Sequence, residues 1–511
     1  MATVSNNLPV AVIGAGPVGL AAAAHLVGRG VTPLVFEAGA SVATHLESYR
    51  HVQLFSPWHM NMDAHAQRLL AAHGWTPPPP DRLPTAGQMI DDYLAPLSHL
   101  PSIAPSLHLN GRVLQVSRVG FDKVTTRGRD EAPFLLRVQT PHGIAEHRAR
   151  AVIDASGTWG TPNPLGANGL PAVGEAALAD RIAYGMPDVL GTARARYAGQ
   201  RVLVVGAGHA AAGNLLALLR LAEEVPGTHV VWAVRRTHLA RLFGGGAHDE
   251  LPARGVLGAR LAHLVASGHL DVQTGFRIRE LRDRGQSIDV VGEAEGGEAA
   301  RLTGITAIIC ATGARPDLAL TRELRVQLDP WLESTAALAP LIDPNVHSCG
   351  TVPPHGYREL AHPEAGYYAV GAKSYGRAPN FLLATGYEQV RSVVAALAHD
   401  DEAANRVELT LPGTGECGVP FDTGDATVAQ TPRACCGPGA ESFITTLSVA
   451  TSHADSSCCG GPAPAGTGAC CVLDAQARAE GKEGCGCHDG TLVQLTTAPA
   501  TAAAMIDAVK P

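Results

Sequence analysis

The chain has 511 residues, 46% of them hydrophobic and 17% charged, with a formal net charge of −8. That length leaves room for two or three domains with large cores. The negative balance argues against a nucleic-acid partner, and no apolar run reaches the ~20 residues needed to cross a bilayer. With no basic segment ahead of the first apolar run, no signal peptide is expected, and the protein is placed in the cytoplasm.

In chain order, Val10-Ala11-Val12-Ile13 is the first expected strand. It leads into Gly14-Ala15-Gly16-Pro17-Val18-Gly19 and an Ala-rich helix. A GxGxxG between strand and helix is a dinucleotide fingerprint. The first glycine turns the chain, the second admits a pyrophosphate, and the third lets helix and strand pack. The next strand, Thr32–Phe36, ends in Glu37, an acid suited to ribose hydroxyls and hostile to a 2′-phosphate. The consecutive prolines Pro77 to Pro80 mark a loop, and a helix is expected through Tyr93 and Leu94. Val113–Val116 and Phe134–Val138 alternate as antiparallel strands would, Val113 being assigned to the first nucleotide site. Ala151–Asp154 returns as a strand ending in Ala155-Ser156-Gly157.

A second fingerprint follows. Val202–Val205 runs into Gly206-Ala207-Gly208-His209-Ala210-Ala211-Ala212-Gly213 and a second helix. Its following strand, His229–Val234, ends in Arg235-Arg236, and paired guanidiniums suit a 2′-phosphate. The first site therefore suits the adenosine half of FAD, or NAD, and the second suits NADPH. The second region closes at Ala311-Thr312-Gly313. Inside it, the glycine-rich stretch Phe243–Glu250 is either a lid over nicotinamide or a surface hairpin. Tyr367–Gly371 is a strand, and Pro379–Leu397 a helix with Pro379 at its first position.

Together these segments resemble the two-dinucleotide-binding-domain flavoproteins of the pyridine nucleotide-disulfide oxidoreductase superfamily. Within them the resemblance is closer to flavin-containing monooxygenases, through Leu54-Phe55-Ser56-Pro57 and Ser156-Gly157-Thr158-Trp159-Gly160-Thr161-Pro162-Asn163-Pro164. It covers about residues 8–400 and implies an α/β fold with two Rossmann-like, three-layer ββα domains. The FAD domain is expected over 1–195 and 316–400, with an inserted NADPH domain over 196–315 and a loosely ordered tail over 401–511. Two departures stand out. The monooxygenase fingerprint between the domains lacks its His at Tyr184–Val189. The usual Gly-Asp of the last FAD strand is Gly371-Ala372-Lys373, so Lys373 or backbone is expected to replace the aspartate at the flavin ribityl chain. The segment Lys373–Pro379, with the tail, resembles flavoproteins associated with arsenic and heavy-metal resistance.

The chain has 11 cysteines, none before Cys310, and nine lie between Cys417 and Cys487. Cys435-Cys436, Cys458-Cys459 and Cys470-Cys471 are vicinal, and Cys485 and Cys487 are one residue apart. Such thiols are candidate ligands for As(III) or another thiophilic ion; a redox relay to the flavin and a tail without catalytic part are the other readings. No dithiol falls near either glycine turn, which favours flavin plus oxygen over a resident disulfide. The expected function is an NADPH-oxidising flavin monooxygenase acting on a soft arsenical, sulfur or nitrogen nucleophile. The alternatives are a disulfide or metal-ion reductase using tail cysteines, and a thiol-based sequestration protein. Expected partners are a small-molecule substrate and molecular oxygen, with a homodimer left open. No catalytic side chain is assigned, although His51, His59 and His209 fall near the expected cofactors.

Overall fold

The structure is a computed structural model that describes residues 7–237, 239, 252–266, 270–347 and 352–409. The glycine-rich stretch 243–250 and all the tail cysteines from Cys417 to Cys487 lie outside the described residues.

Two parallel sheets carry the two fingerprints. The first is built from β1 (Val10–Ile13), β2 (Pro33–Phe36), β3 (Leu107–His108), β7 (Ala151–Asp154) and β16 (Tyr367–Ala369). Its strand order is β16-β7-β1-β2-β3, all parallel. Between β3 and β7 runs an antiparallel meander of β4 (Arg112–Arg118), β5 (Phe134–Thr140) and β6 (Gly143–Ala149). The second domain repeats the plan. Its sheet has the order β11-β10-β9-β15-β8, from Asp271–Gln273, His229–Ala233, Arg201–Val205, Ala307–Cys310 and Ile182–Tyr184. Its meander is β12 (Arg277–Asp283), β13 (Ile288–Glu293) and β14 (Ala299–Ile305).

The period of two along a strand sorts these residues into layers. Val10 and Val12 join the core under α1 (Pro17–Gly28), whereas Ala11 and Ile13 join the core under the meander. Likewise Val202 and Val204 pack beneath α2 (His209–Glu224), and Leu203 and Val205 pack on the second meander with Phe276 and Ile278. Burial on both faces explains why these central strands are continuous apolar runs rather than alternating ones. Helix α3 (Pro252–Ala266) lies beside α2, Leu261 joining its core. Helix α4 (Leu383–Leu397) packs along α1 through Val390, Val393 and Val394.

The strand that follows the second domain, β16, returns to the edge of the first sheet, so the second sheet is inserted in the first. Three expectations need correction. The boundary at 195 is too late, because β8 already pairs with β15 of the second sheet. The tail does not begin at 401, because a short helix, Asp401–Asn405, is capped by Asp400 and packs Ala403 and Ala404 against Ala395. Helix α4 starts at Leu383, not Pro379; Leu382 before it is extended, and Pro379 lies in the segment leading up to it.

Candidate functional site

The two β–α turns are built alike. Gly14 (φ +96°) and Gly206 (φ +135°) hold backbone conformations that L side chains rarely adopt. A Cβ on Gly14 would sit 2.7 Å from the Ala155 carbonyl oxygen, and one on Gly206 would overlap the Ala311 carbonyl. Each strand thus passes close to the end of its neighbour. At Gly16 and Gly208 a Cβ would meet nothing within 4 Å, so the space over each helix start is open. Neither Gly16 nor Gly208 makes a side-chain cap, so first-turn N–H groups are left for an anion. These features fit a dinucleotide pyrophosphate. The third positions differ. A Cβ on Gly19 would overlap the Gly14 carbonyl, whereas one on Gly213 would meet nothing. Close packing in the second turn falls to fully buried Ala211, not Gly213.

One cavity of about 1030 Å³ joins the two domains. From the first site it is lined by Gly14, Gly16, Pro17, Val18, Glu37, Val113, Ala155, Ser156, Gly157, Gly371 and Pro379, and from the second by His209, Ala210 and Gly213. Ala15 and Gly19 support the first turn without lining the cavity, Ala15 being fully buried. Gly206, Gly208, Arg235, Arg236, Ala311, Thr312 and Gly313 do not line it either. Arg235 and Arg236 are exposed beyond the end of β10, and Arg235 donates to the Ala167 carbonyl at 3.3 Å. The Ala311-Thr312-Gly313 turn is tied to the first domain's connecting segment. Asn163 N donates to Gly313 O at 2.9 Å, and Thr312 Oγ1 donates to Asn163 O at 2.9 Å.

Glu37 anchors one end of the cavity and is 8% exposed. Its Oε2 accepts from Ala15 N and its Oε1 from Gly39 N, each at 2.9 Å. Both oxygens keep lone pairs for a ribose diol, and the fixed charge repels a phosphate there. Further along the wall the rings of Tyr49 and Trp159 stand 4.6 Å apart, and Trp159 Nε1 donates to Ser48 Oγ. Burial pushes the Tyr49 phenol up to about 12, so it keeps its proton at neutral pH. Burial also lowers His45, outweighing the pull of Glu37, which favours the neutral ring. His209 at the head of α2 lies 5.2 Å from Phe55 of the first domain, ring to ring. Of the three histidines singled out, His51 and His209 line the cavity, while His59 lies outside it against Pro80 O.

Sequence reasoning missed Asn61, which is 1% exposed and lines the cavity. Its Nδ2 donates to the carbonyls of Ser56 and Pro57, and its Oδ1 accepts from Ser56 Oγ. The only signal was its nearness to Leu54–Pro57. Lys373 is a correction. It does not face the cavity in place of the missing aspartate; it is 3% exposed and pairs with Asp154 at 2.7 Å. Ala372 is the residue that lines the wall there.

A family model described as pyridine nucleotide-disulphide oxidoreductase matches residues 11–348. The chain belongs to that family. It is a flavoprotein oxidoreductase working with a pyridine nucleotide. No curated protein sequence matches it. Among solved structures, it resembles the bacillithiol disulfide reductase Bdr (YpdA) of Bacillus cereus at 18% identity and TM-score 0.57, over 77% of this chain and 99% of that one. It resembles the FAD-bound cadaverine monooxygenase DfoA of Erwinia amylovora at 13% identity and TM-score 0.55, over 80% and 99%. The Kutzneria ornithine N-hydroxylase KtzI matches at 16% identity and TM-score 0.51, over 77% and 99%. At these identities the likeness is one of fold, shared by monooxygenases and a disulfide reductase alike.

Proposed function

We propose that this enzyme is an FAD-dependent, NADPH-oxidising monooxygenase acting on a soft nucleophile: a sulfur, nitrogen or arsenical compound. FAD is assigned to the first turn with Glu37, and NADPH to the second turn with Arg235 and Arg236. Bound there, FAD would take a hydride from NADPH and pass the electrons on. The chain's own residues bind the two phosphate groups at open helix starts, hold the adenosine ribose at Glu37, and enclose the space between the domains.

The observation that carries the oxygen reading is the chemistry of the cavity wall. Among the described residues the only cysteine is Cys310, buried in β15 and outside the cavity. Burial pushes its thiol up to about 11, although its hydrogen bonds to Thr312 pull the other way. A thiol held protonated is a poor partner for disulfide exchange. A reductase would have to bring its dithiol from the tail cysteines, and the fold shared with a bacillithiol disulfide reductase keeps that second reading in play. In the monooxygenase reading the vicinal pairs Cys435-Cys436, Cys458-Cys459 and Cys470-Cys471, with Cys485 and Cys487, are assigned as ligands of As(III) or another thiophilic ion; in the reductase reading the same thiols supply the dithiol.

Stopped-flow spectroscopy of the full chain separates the readings. After reduction by NADPH, mixing with oxygen is expected to give a transient absorbance band belonging to neither oxidised nor reduced flavin. A long-wavelength thiolate–flavin band that disappears when the tail cysteines are changed to serine would instead establish the reductase. A purified protein that is colourless and takes up no flavin would end both.

A further inference from the structure

Beneath the cavity wall lies a buried ion pair that the cofactor assignments do not use. Asp154 ends β7 at 0% exposure, and its carboxylate is fully engaged. Oδ1 accepts from Ser156 N at 3.2 Å and Ser156 Oγ at 2.7 Å. Oδ2 accepts from Tyr367 OH at 3.0 Å and pairs with Lys373 Nζ at 2.7 Å. Lys373 Nζ also donates to Ser156 Oγ at 3.0 Å. An ammonium has three N–H donors, so one remains.

Lys373 also lines a second, small cavity of about 10 Å³, together with Thr335, His362 and Tyr367. That volume is the room one water needs. Two groups on its wall are buried without a partner, Thr335 Oγ1 and His362 Nε2. Thr335 is 1% exposed. His362 Nδ1 accepts from Gln327 N at 3.2 Å, so in the neutral ring the proton sits on Nε2. Burial lowers the His362 pKa to about 4, which keeps the ring neutral at pH 7. The wall therefore offers two donors, from Lys373 and His362, and a hydroxyl that can accept. A water can satisfy all three.

We propose that this cavity is a single-water site that completes the shell of Lys373, and that the hydrated Lys373–Asp154 pair is a positioning device for Ser156 at the flavin cavity. The Ser156 proton is committed to Asp154, and one lone pair is committed to Lys373. What Ser156 presents to the cavity is a lone pair, never a proton. It selects a ligand hydroxyl or N–H at the wall where Ala372 supplies no carboxylate. The second half of this inference rests on the FAD assignment; the water site does not.

A crystal structure of the full chain with ordered waters resolved tests the first half. One water is expected within ~3.2 Å of Lys373 Nζ, Thr335 Oγ1 and His362 Nε2. A dry cavity, or one closed by a shifted side chain, overturns it. Thr335→Val, which keeps the shape, is expected to lose that water. Fluorescence titration of apoprotein with FAD tests the second half. Ser156→Ala is expected to weaken FAD about two- to tenfold, the effect of one lost hydrogen bond, and Ser156→Thr to restore it. Unchanged affinity in Ser156→Ala overturns the role of the hydroxyl. A protein that shows the water but binds no FAD ends the flavin reading and leaves the water site standing; a flavin-loaded protein with a dry cavity does the reverse.

Discussion

The carboxylate of Glu37 and the guanidiniums of Arg235 and Arg236 stand at equivalent points of two equivalent domains, and their surroundings differ. Glu37 is held by the backbone of Ala15 and Gly39 and is nearly buried, so its charge is fixed in place. Arg235 is exposed and has one long hydrogen bond to a carbonyl, which leaves it free to turn toward a phosphate. Arg235→Ala is expected to weaken NADPH about tenfold or more, as loss of a charge-assisted hydrogen bond would, and NADH much less. Binding titrations with both nucleotides check this, and equal losses would refute a 2′-phosphate role. At the same scale Lys373 shows how a residue type can mislead. A lysine in place of an expected aspartate suggested a substitute at the ligand, but the stronger demand came from buried Asp154, which requires a countercharge.

The turn between strand and helix is the element that makes each site, and its glycines are not interchangeable. Gly14 is required by its backbone and by the closeness of Ala155, whereas Gly213 lies in a helix with nothing near its missing side chain. Gly14→Ala is expected to cost about 1–3 kcal/mol through strain and to lower flavin content. Gly213→Ala should gain up to about 1 kcal/mol in helix propensity. Melting temperature and bound flavin per chain distinguish the two; a Gly213→Ala protein as destabilised as Gly14→Ala would contradict the packing described. Strands β1 and β9 were legible as short apolar runs, but which of their residues face which core was decided by the packing. The start of α4 was not legible, because proline suits a first helical position without fixing where the helix begins, and extended Leu382 separates them.

At the scale of the whole molecule, the return of the chain to its first domain is secured by a buried charge cluster. Glu364, with a side chain 0% exposed, pairs with Arg118 and Arg129, each at 2.7 Å. Arg118 lies on β4, Arg129 in the β4–β5 connection, and Glu364 just before β16, so the cluster joins segments more than 200 residues apart. Glu364→Ala is expected to destabilise by about 3–5 kcal/mol, because it strands two buried guanidiniums. Burial alone would raise the Glu364 pKa, but the Arg325 N–H and the two arginines hold it below its ordinary 4.5. A depressed carboxylate stabilises the fold above its unfolded pKa and loses that contribution as pH falls through the folded value. Denaturant titrations should therefore show wild-type stability falling below about pH 4.5, with a shallower fall in Glu364→Gln.

The family resemblance implied the layered α/β plan; the sequence by itself determined the two fingerprints and the unequal acid and arginine strand ends. Each is a local pattern of glycines, apolar period and one or two flanking residues. Only the tertiary structure decided where the domains divide, which residues share the cavity, and what Lys373 does. Those depend on pairings such as β8 with β15, Asp154 with Lys373 and Asn61 with Ser56. The first two join residues over a hundred positions apart. The third is short in sequence, but only the cavity gives it a meaning. No local period encodes which buried charge finds which partner; desolvation makes the pairing obligatory, and the fold supplies the address.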